Sequence, residues 1–442
     1  MKFVKALYLR TRLFTLLAGV ACLYVICFFL PFLSVFPTAI LIGTIIACVI
    51  EYVMLFSRSG FRARRFTGER FSNGDENPVR IFLHNLYPFA VRVVVVDELP
   101  QQFQQRDNGF GTRLEPGAET EWDYALRPVK RGEYSFGALH VYVHTSLGLL
   151  MRRYTFDEQR MVPVYPSFLQ MRKYQLLAIS NRLSEIGVKK IRRVGHSMEF
   201  EQIRDYVKGD DIRTLNWKAT ARRGQLMVNG YSDEKSQQVY CLIDKGRAMR
   251  MPFAGMSLLD HAINASLVLC NTALIRQDKA GVISFAEEVS GMVPATRNPT
   301  QMTQVLEHLY RQKTRYLESD YEKLYSAIRH KVNQRSLLIL FTNFESLYAL
   351  QRQLPYLRRL ARQHLLLVVF FENTGLDELI RKPAGNVEDI YNRTIAQKFA
   401  FEKKLIVREL QKLGILTVLT APENLTIDTV NKYLEIKARQ MI

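Results

Sequence analysis

The stretch YCLIDKGRAM, Tyr240–Met249, ends an apolar run on a single carboxylate, Asp244, and passes at once into a turn holding Gly246. A carboxylate delivered this way by a buried strand begins many divalent-cation and phosphate sites. Two further apolar runs end on polar residues: AGVISFA is followed by Glu287, and SLLILFTN closes on Asn343. A separate segment, HSMEFEQIRDYVKGDDIRTLNWKATARRGQLMVNGYSDEK, interleaves basic and acidic residues around Trp217. That mixture suits internal ion pairs as much as a phosphate track. No G-x-x-x-x-G-K-[ST], G-x-S-x-G or H-E-x-x-H motif occurs, and none of the eight histidines sits beside a motif that would make it a base. The acid pairs Asp210/Asp211 and Glu287/Glu288 are adjacent in sequence, which marks caps or solvated loops rather than a catalytic dyad. His140 and His144 share a strand face but lie ~13 Å apart at strand rise, too far for one metal. With no C-x-x-C pair among the five cysteines, zinc is not expected.

These residues need elements to hold them. After Ser236 apolar runs of five to seven residues alternate with helical segments, which predicts a doubly wound α/β unit with a parallel sheet over 237–442. Residues 67–166 have a period of two with turns between (VRIFLHN, AVRVVVVDELP, ETEWDYALRP, ALHVYVH, LGLLMRRYTF, RMVPVYP), which predicts an antiparallel β-sandwich. Residues 167–236 form a connector. Within 1–60 two apolar stretches, about 13–30 and 38–56, are each about long enough to cross a bilayer. They predict a transmembrane hairpin. Lys2, Lys5, Arg10 and Arg12 precede it, Arg58, Arg62, Arg64 and Arg65 follow it, and the loop between has no Lys or Arg. By the positive-inside rule the rest of the chain faces the cytoplasm, at the inner membrane. The net charge of +19 directs attention to anionic partners, and the 48% apolar content excludes wholesale disorder.

A strand ending in Asp244, a second ending in Phe-Thr-Asn, and alternating helices resemble a von Willebrand factor type A domain. That resemblance implies a metal site built on Asp-x-Ser-x-Ser, a loop Thr and a second Asp. Here Asp244 matches, Gly246 and Ala248 replace the serines, Asn343 replaces the second Asp, and Thr296 or Thr300 is left to supply the Thr. Such a degenerate set is expected to hold no metal and no cofactor. The connector resembles more closely the signature of the bacterial membrane family called domain of unknown function 58: Glu199, Phe200, Arg204, Tyr206, Gly209, Asp210, Arg213, Trp217, Ala221, Arg222, Asp244, Arg247 and Met249. The resemblance extends to VDELP and RGEYSFGALHVYVHTSLGLL. It implies an interaction protein rather than an enzyme, working beside ATPases of the MoxR type, with other envelope proteins, in protein assembly, maturation or envelope stress.

Each signature residue also has an architectural reading. Asp210 or Asp211 can cap a helix beginning near Ile212, Trp217 can fill a core gap, and the arginines can pair with the acids. The functional reading makes Arg204, Gly209, Asp210, Arg213, Trp217 and Arg222 a docking face for a partner. Two other classes compete: a hydrolase, and a nucleic-acid binder motivated by the charge. Nucleic acid is not expected, because basic residues flanking the spans are explained by anionic lipid and no aromatic-basic platform is present.

Overall fold

The computed structural model describes residues 6–29, 35–105, 109–156, 159–179, 199–207, 210, 212–232, 236–381 and 385–441. It divides into two compact units, Met1–Tyr165 and Pro166–Ile442.

The first unit carries helices α1 (Thr11–Phe29) and α2 (Val35–Phe56), whose apolar side chains are largely exposed. The two pack on one another, and the Tyr24 hydroxyl donates to Thr38 Oγ1 at 3.1 Å. By length and composition α2 is able to cross a membrane. At about 1.5 Å per residue it is ~33 Å long, matching a hydrocarbon core of about 30 Å. Leu258–Ile275 also has the length and hydropathy of a span, but it is 83% buried and is a core helix of the second unit.

The strands of this unit are β1 (Leu7–Leu9), β2 (Phe61–Thr67), β3 (Phe71–Ser72), β4 (Asn77–Asn85), β5 (Val91–Asp97), β6 (Gly109–Leu114), β7 (Glu119–Leu126), β8 (Gly132–Phe136), β9 (Leu139–His144), β10 (Leu150–Phe156) and β11 (Arg160–Tyr165). They form three sheets, ordered β1-β10-β9-β5-β6, β2-β4-β7 and β3-β11-β8. Alternation sets the faces: Val79, Ile81 and Leu83 of β4, and Val91, Val93 and Val95 of β5, point inward. Ile81 and Leu83 share one apolar core with Val93, Val141 and Leu55 of α2. Thus the β-rich region predicted from its period of two is present, with more strands than the six read from sequence, and it is not wholly antiparallel as expected, because β3 pairs parallel with β11.

The basic run after α2 is itself a strand. FRARRFT alternates buried and exposed, so Phe61, Ala63 and Arg65 point inward. Arg65 is therefore not a headgroup-facing cation: its guanidinium pairs with Asp97, both side chains almost fully buried, and its Nη2 donates to the Gly137 carbonyl at 3.1 Å. Tyr124 donates its hydroxyl to the same carboxylate, and Arg65 lies 5.0 Å above the Phe136 ring.

The second unit contains α3 (Phe168–Ile179), β12 (Glu199–Asp205), α4 (Trp217–Arg223), β13 (Met227–Ser232), β14 (Gln238–Asp244), β15 (Pro252–Phe253), β16 (Met256–Ser257), α5 (Leu258–Ile275), β17 (Lys279–Phe285), β18 (Val289–Thr296), α6 (Gln301–Tyr310), α7 (Tyr321–Lys331), β19 (Leu337–Phe341), α8 (Leu347–Gln363), β20 (Leu365–Phe371), α9 (Thr374–Arg381), α10 (Val387–Lys412), β21 (Leu416–Thr420) and α11 (Leu425–Ala438). Its main sheet runs β18-β17-β14-β19-β20-β21. Five strands are parallel, but β18 is antiparallel to β17, so the sheet is mixed rather than wholly parallel. VSGMVPAT, not among the strands expected from sequence, contains a Gly and a Pro, both tolerated on an edge strand. Successive residues of β14 feed opposite cores: Val239, Cys241 and Ile243 face α5 and α11, while Tyr240 and Leu242 face α7, α8 and α10. That two-sided burial is why the strands are continuous apolar runs. From the connector, α3 packs on α5.

Candidate functional site

The chain leaves β14 for β17 on one side and returns to β19 on the other. The carboxyl ends of β14 and β19 therefore flank the point where strand order reverses, the position at which open α/β sheets bind ligands. Asp244 and Asn343 lie there, as the sequence predicts, and both are buried.

Asp244 is a hub of hydrogen bonds. Its Oδ1 accepts from the Gly246 amide at 2.8 Å and from the Ser319 hydroxyl, and its Oδ2 accepts from Thr342 at 2.6 Å and Tyr321 at 3.3 Å. A side chain at Gly246 would run into the Ser319 hydroxyl, so a residue 73 positions away in the sequence fills the space where a local serine would project. The hydroxyl partners are Ser319, Tyr321 and Thr342, not Thr296 or Thr300. Thr296 pairs with Ala280 at the amino end of β17 and donates to Gln301 Oε1, whereas Asp244 pairs with Phe285 at the carboxyl end, five residues or ~16 Å further along at strand rise. Thr300 is exposed just before α6.

Asn343 accepts at Oδ1 from the Lys403 ammonium at 2.5 Å, and its Nδ2 lies 3.4 Å from the Ala248 carbonyl. Lys403, from α10, also donates to the Phe344 carbonyl at 2.6 Å. These residues do not fit a magnesium ion. Both Asp244 oxygens are already bonded, and the second ligand position is engaged by an ammonium group. Lys403 lines a cleft of about 1010 Å³ together with Met251, Phe253, Phe371, Leu376 and Phe399.

Burial sets the electrostatics of both groups. Asp244 is raised above its ordinary value by desolvation, against the lowering effect of its hydroxyl and amide donors. Its charged form is thus disfavoured in the fold, and its contribution to stability falls as pH rises through the carboxylate range. Asp244→Asn is accordingly expected to change stability by less than about 1 kcal/mol, since one oxygen and reorientable hydroxyls remain. Urea unfolding of the full-length protein in detergent checks this; a loss above about 2 kcal/mol would show that the charge itself is needed.

Lys403 is brought down to about 8 from 10.5, chiefly by desolvation, with Glu345 acting the other way. Between those two values the unfolded chain holds a proton that the folded chain has released, so Lys403 makes stability rise with pH across that window. Lys403→Met should remove that rise. Parallel pH profiles for the two proteins would contradict it.

A serine–histidine contact lies nearby: Ser284 Oγ and His308 Nε2 are 3.0 Å apart. Ser284 is fully buried within β17 and is not placed to attack a substrate.

The signature segment, within the second unit, holds a separate two-stranded sheet in which β12 and β13 pair antiparallel, with α4 between them in sequence. Asp211 lies outside the described residues, and Asp210 is held by its own neighbours. It takes a bidentate pair from Arg204, at 2.9 and 2.6 Å, plus the Val207 amide at 2.9 Å, and the Arg204 bonds hold its carboxyl below the ordinary carboxylate value. A 3-10 turn at Ile212–Thr214 stands where the sequence suggests a helix start, and α4 follows at Trp217, capped by Asn216, which accepts from the Ala219 amide at 3.0 Å. Trp217 fills no core gap: it is 69% exposed. Among the described residues Ile203, Val207, Ile212 and Leu226 of this segment are exposed as well, as is Arg222 near the end of α4. Gly209 and the side chain of Arg213 lie outside the described residues. Arg204 and Asp210 are thus brought together as an architectural pair, whereas Trp217 and Arg222 face solvent.

Residues 202–377 match the family model described as protein of unknown function DUF58. The uncharacterized protein YeaD of Bacillus subtilis (strain 168) is 26% identical over 260 residues, covering 57% of this chain. The chain spans 62% of that relative's length. Among solved structures, the conserved hypothetical protein BatB from Bacteroides thetaiotaomicron aligns over 46% of this chain and 100% of its own, with 13% identity and a TM-score of 0.31. The SpRpn10 VWA domain aligns over 44% of this chain and 93% of its own, with 9% identity and a TM-score of 0.27. The family segment takes in most of the signature strand pair, α4 and the sheet through β20.

Proposed function

We propose that this protein is a membrane-anchored scaffold of the cytoplasmic membrane that acts by binding other proteins. On this reading α1 and α2 cross the bilayer as a hairpin, both units face the cytoplasm, and the α/β unit is a von Willebrand type A-like domain without metal chemistry. The signature segment docks a MoxR-type AAA ATPase, in protein assembly, maturation or envelope stress. One observation carries the reading: a tryptophan and four aliphatic residues stand exposed in a short, charge-rich segment whose ion pair is already satisfied internally. An exposed tryptophan in a segment rich in apolar and basic residues has the composition of an interface anchor. Titrating the full-length protein in nanodiscs with a purified MoxR-type ATPase tests it. Trp217→Ala should weaken binding at least ~10-fold, as loss of an anchor does; unchanged binding would remove the segment from the interface.

A further inference from the structure

The apolar helix α2 contains one acid, Glu51, and it is fully buried. Four donors from the turn between β9 and β10 converge on it: Thr145 Oγ1 at 2.6 Å and the Gly148 amide at 3.1 Å on Oε1, and the amides of Leu149 and Leu150 at 2.9 Å each on Oε2. The helix pair also holds the other side of the turn, since the Arg10 amide donates to the Leu149 carbonyl at 3.1 Å and Arg12 Nη1 to the Leu147 carbonyl at 3.3 Å. Gly148 adopts φ +67, which lets three successive amides face one carboxylate, and a β-carbon there would meet Arg10 Nη1 at 2.8 Å.

Glu51 precedes the end of α2 at Phe56 by five residues, ~7.5 Å at helical rise. A turn bound there sits below the end of the helix, beside its lipid-facing surface. Non-helical backbone at that depth is tolerated where its polar groups are satisfied by protein, and here Glu51 satisfies three amides at once. The turn's outward residue is Leu147, 54% exposed, and Leu9 and Phe14 of the adjoining segment are exposed beside the same arginines. Arg10 and Arg12 stand at the start of α1, where basic residues meet anionic headgroups.

From this geometry we propose that the turn Thr145–Leu150 is a membrane-dipping element, with Leu147 seated among lipid at the bilayer interface and the β-rich region thereby fixed against the membrane surface. This rests on the reading of α2 as a membrane span. The test is tryptophan quenching in the full-length protein, reconstituted in vesicles with phospholipids brominated near the headgroup end and, in a second sample, near the methyl end of their acyl chains, the first reading position 147 and the second position 45, with the parent protein giving the baseline from Trp122 and Trp217. Ile45→Trp, exposed within α2, reports the span, and Met161→Trp, exposed on β11, reports a site away from it. Ser146→Trp stands in if Leu147→Trp does not fold. Loss of the added emission at both 45 and 147, with none at 161, is the expected result. Loss at 45 but not at 147 would overturn the dipping turn and leave the span intact; loss at neither would overturn both.

Discussion

Glu51→Ala is expected to lower the stability of the first unit by on the order of 4 kcal/mol. The substitution leaves the amides of Gly148, Leu149 and Leu150 and the Thr145 hydroxyl without an acceptor, and each buried donor so stranded costs about 1–3 kcal/mol, reduced by whatever relaxation lets water in. Glu51→Gln keeps one carbonyl oxygen and should recover part of the loss. Pulse proteolysis in urea, on the full-length protein in micelles, reads the effect as a shift in midpoint. Equal midpoints for the parent and Glu51→Ala would contradict the clamp.

Asp97→Ala should cost about as much, in the range of about 3–5 kcal/mol, because it strands the Arg65 guanidinium in a site where both side chains are almost fully buried. Tyr124 loses its acceptor as well. The paired replacement Arg65→Met with Asp97→Leu should restore most of the loss, since an apolar pair removes both desolvated charges together. If the double variant were no more stable than Asp97→Ala alone, the loss would come from packing around β5 rather than from the orphaned charge. The same urea midpoints decide it.

Local pattern made much of this fold legible. Runs such as QVYCLID and LLLVVFF are buried on both faces and could only be central strands, while VRIFLHN alternates because one of its faces meets solvent. What escaped the sequence are features made by distance along the chain. Glu51 is the lone acid of an apolar helix, but its partners lie 94 to 99 residues away. Arg65 looked like part of a juxtamembrane basic run, and only the β2 register turns it inward to Asp97. The edge strand β18 was hidden by Gly291 and Pro294, and α9 by a short amphipathic sequence opening on Thr-Gly.

The candidate site divides the same way. Asp244 and Asn343 were found because each ends an apolar strand, a local signal. Thr342 was in view beside Asn343, yet its bond to Asp244 follows from the parallel pairing of β14 with β19. Ser319 and Lys403 come from a loop and a long helix, where no pattern marks them. A helix start near Ile212 was suggested by the acid pair Asp210/Asp211, and a short 3-10 turn, Ile212–Thr214, does begin there, while α4 is a separate helix opened by the Asn216 cap.

The central claim is that the signature segment is a docking surface. Crosslinking the full-length protein in native membranes, with and without ATP, and identifying what is captured by mass spectrometry tests it most directly. The account predicts a AAA-type ATPase among the captured proteins, lost on Trp217→Ala in a chain that still folds. Capture of envelope proteins alone, with no ATPase in either nucleotide state, would contradict it.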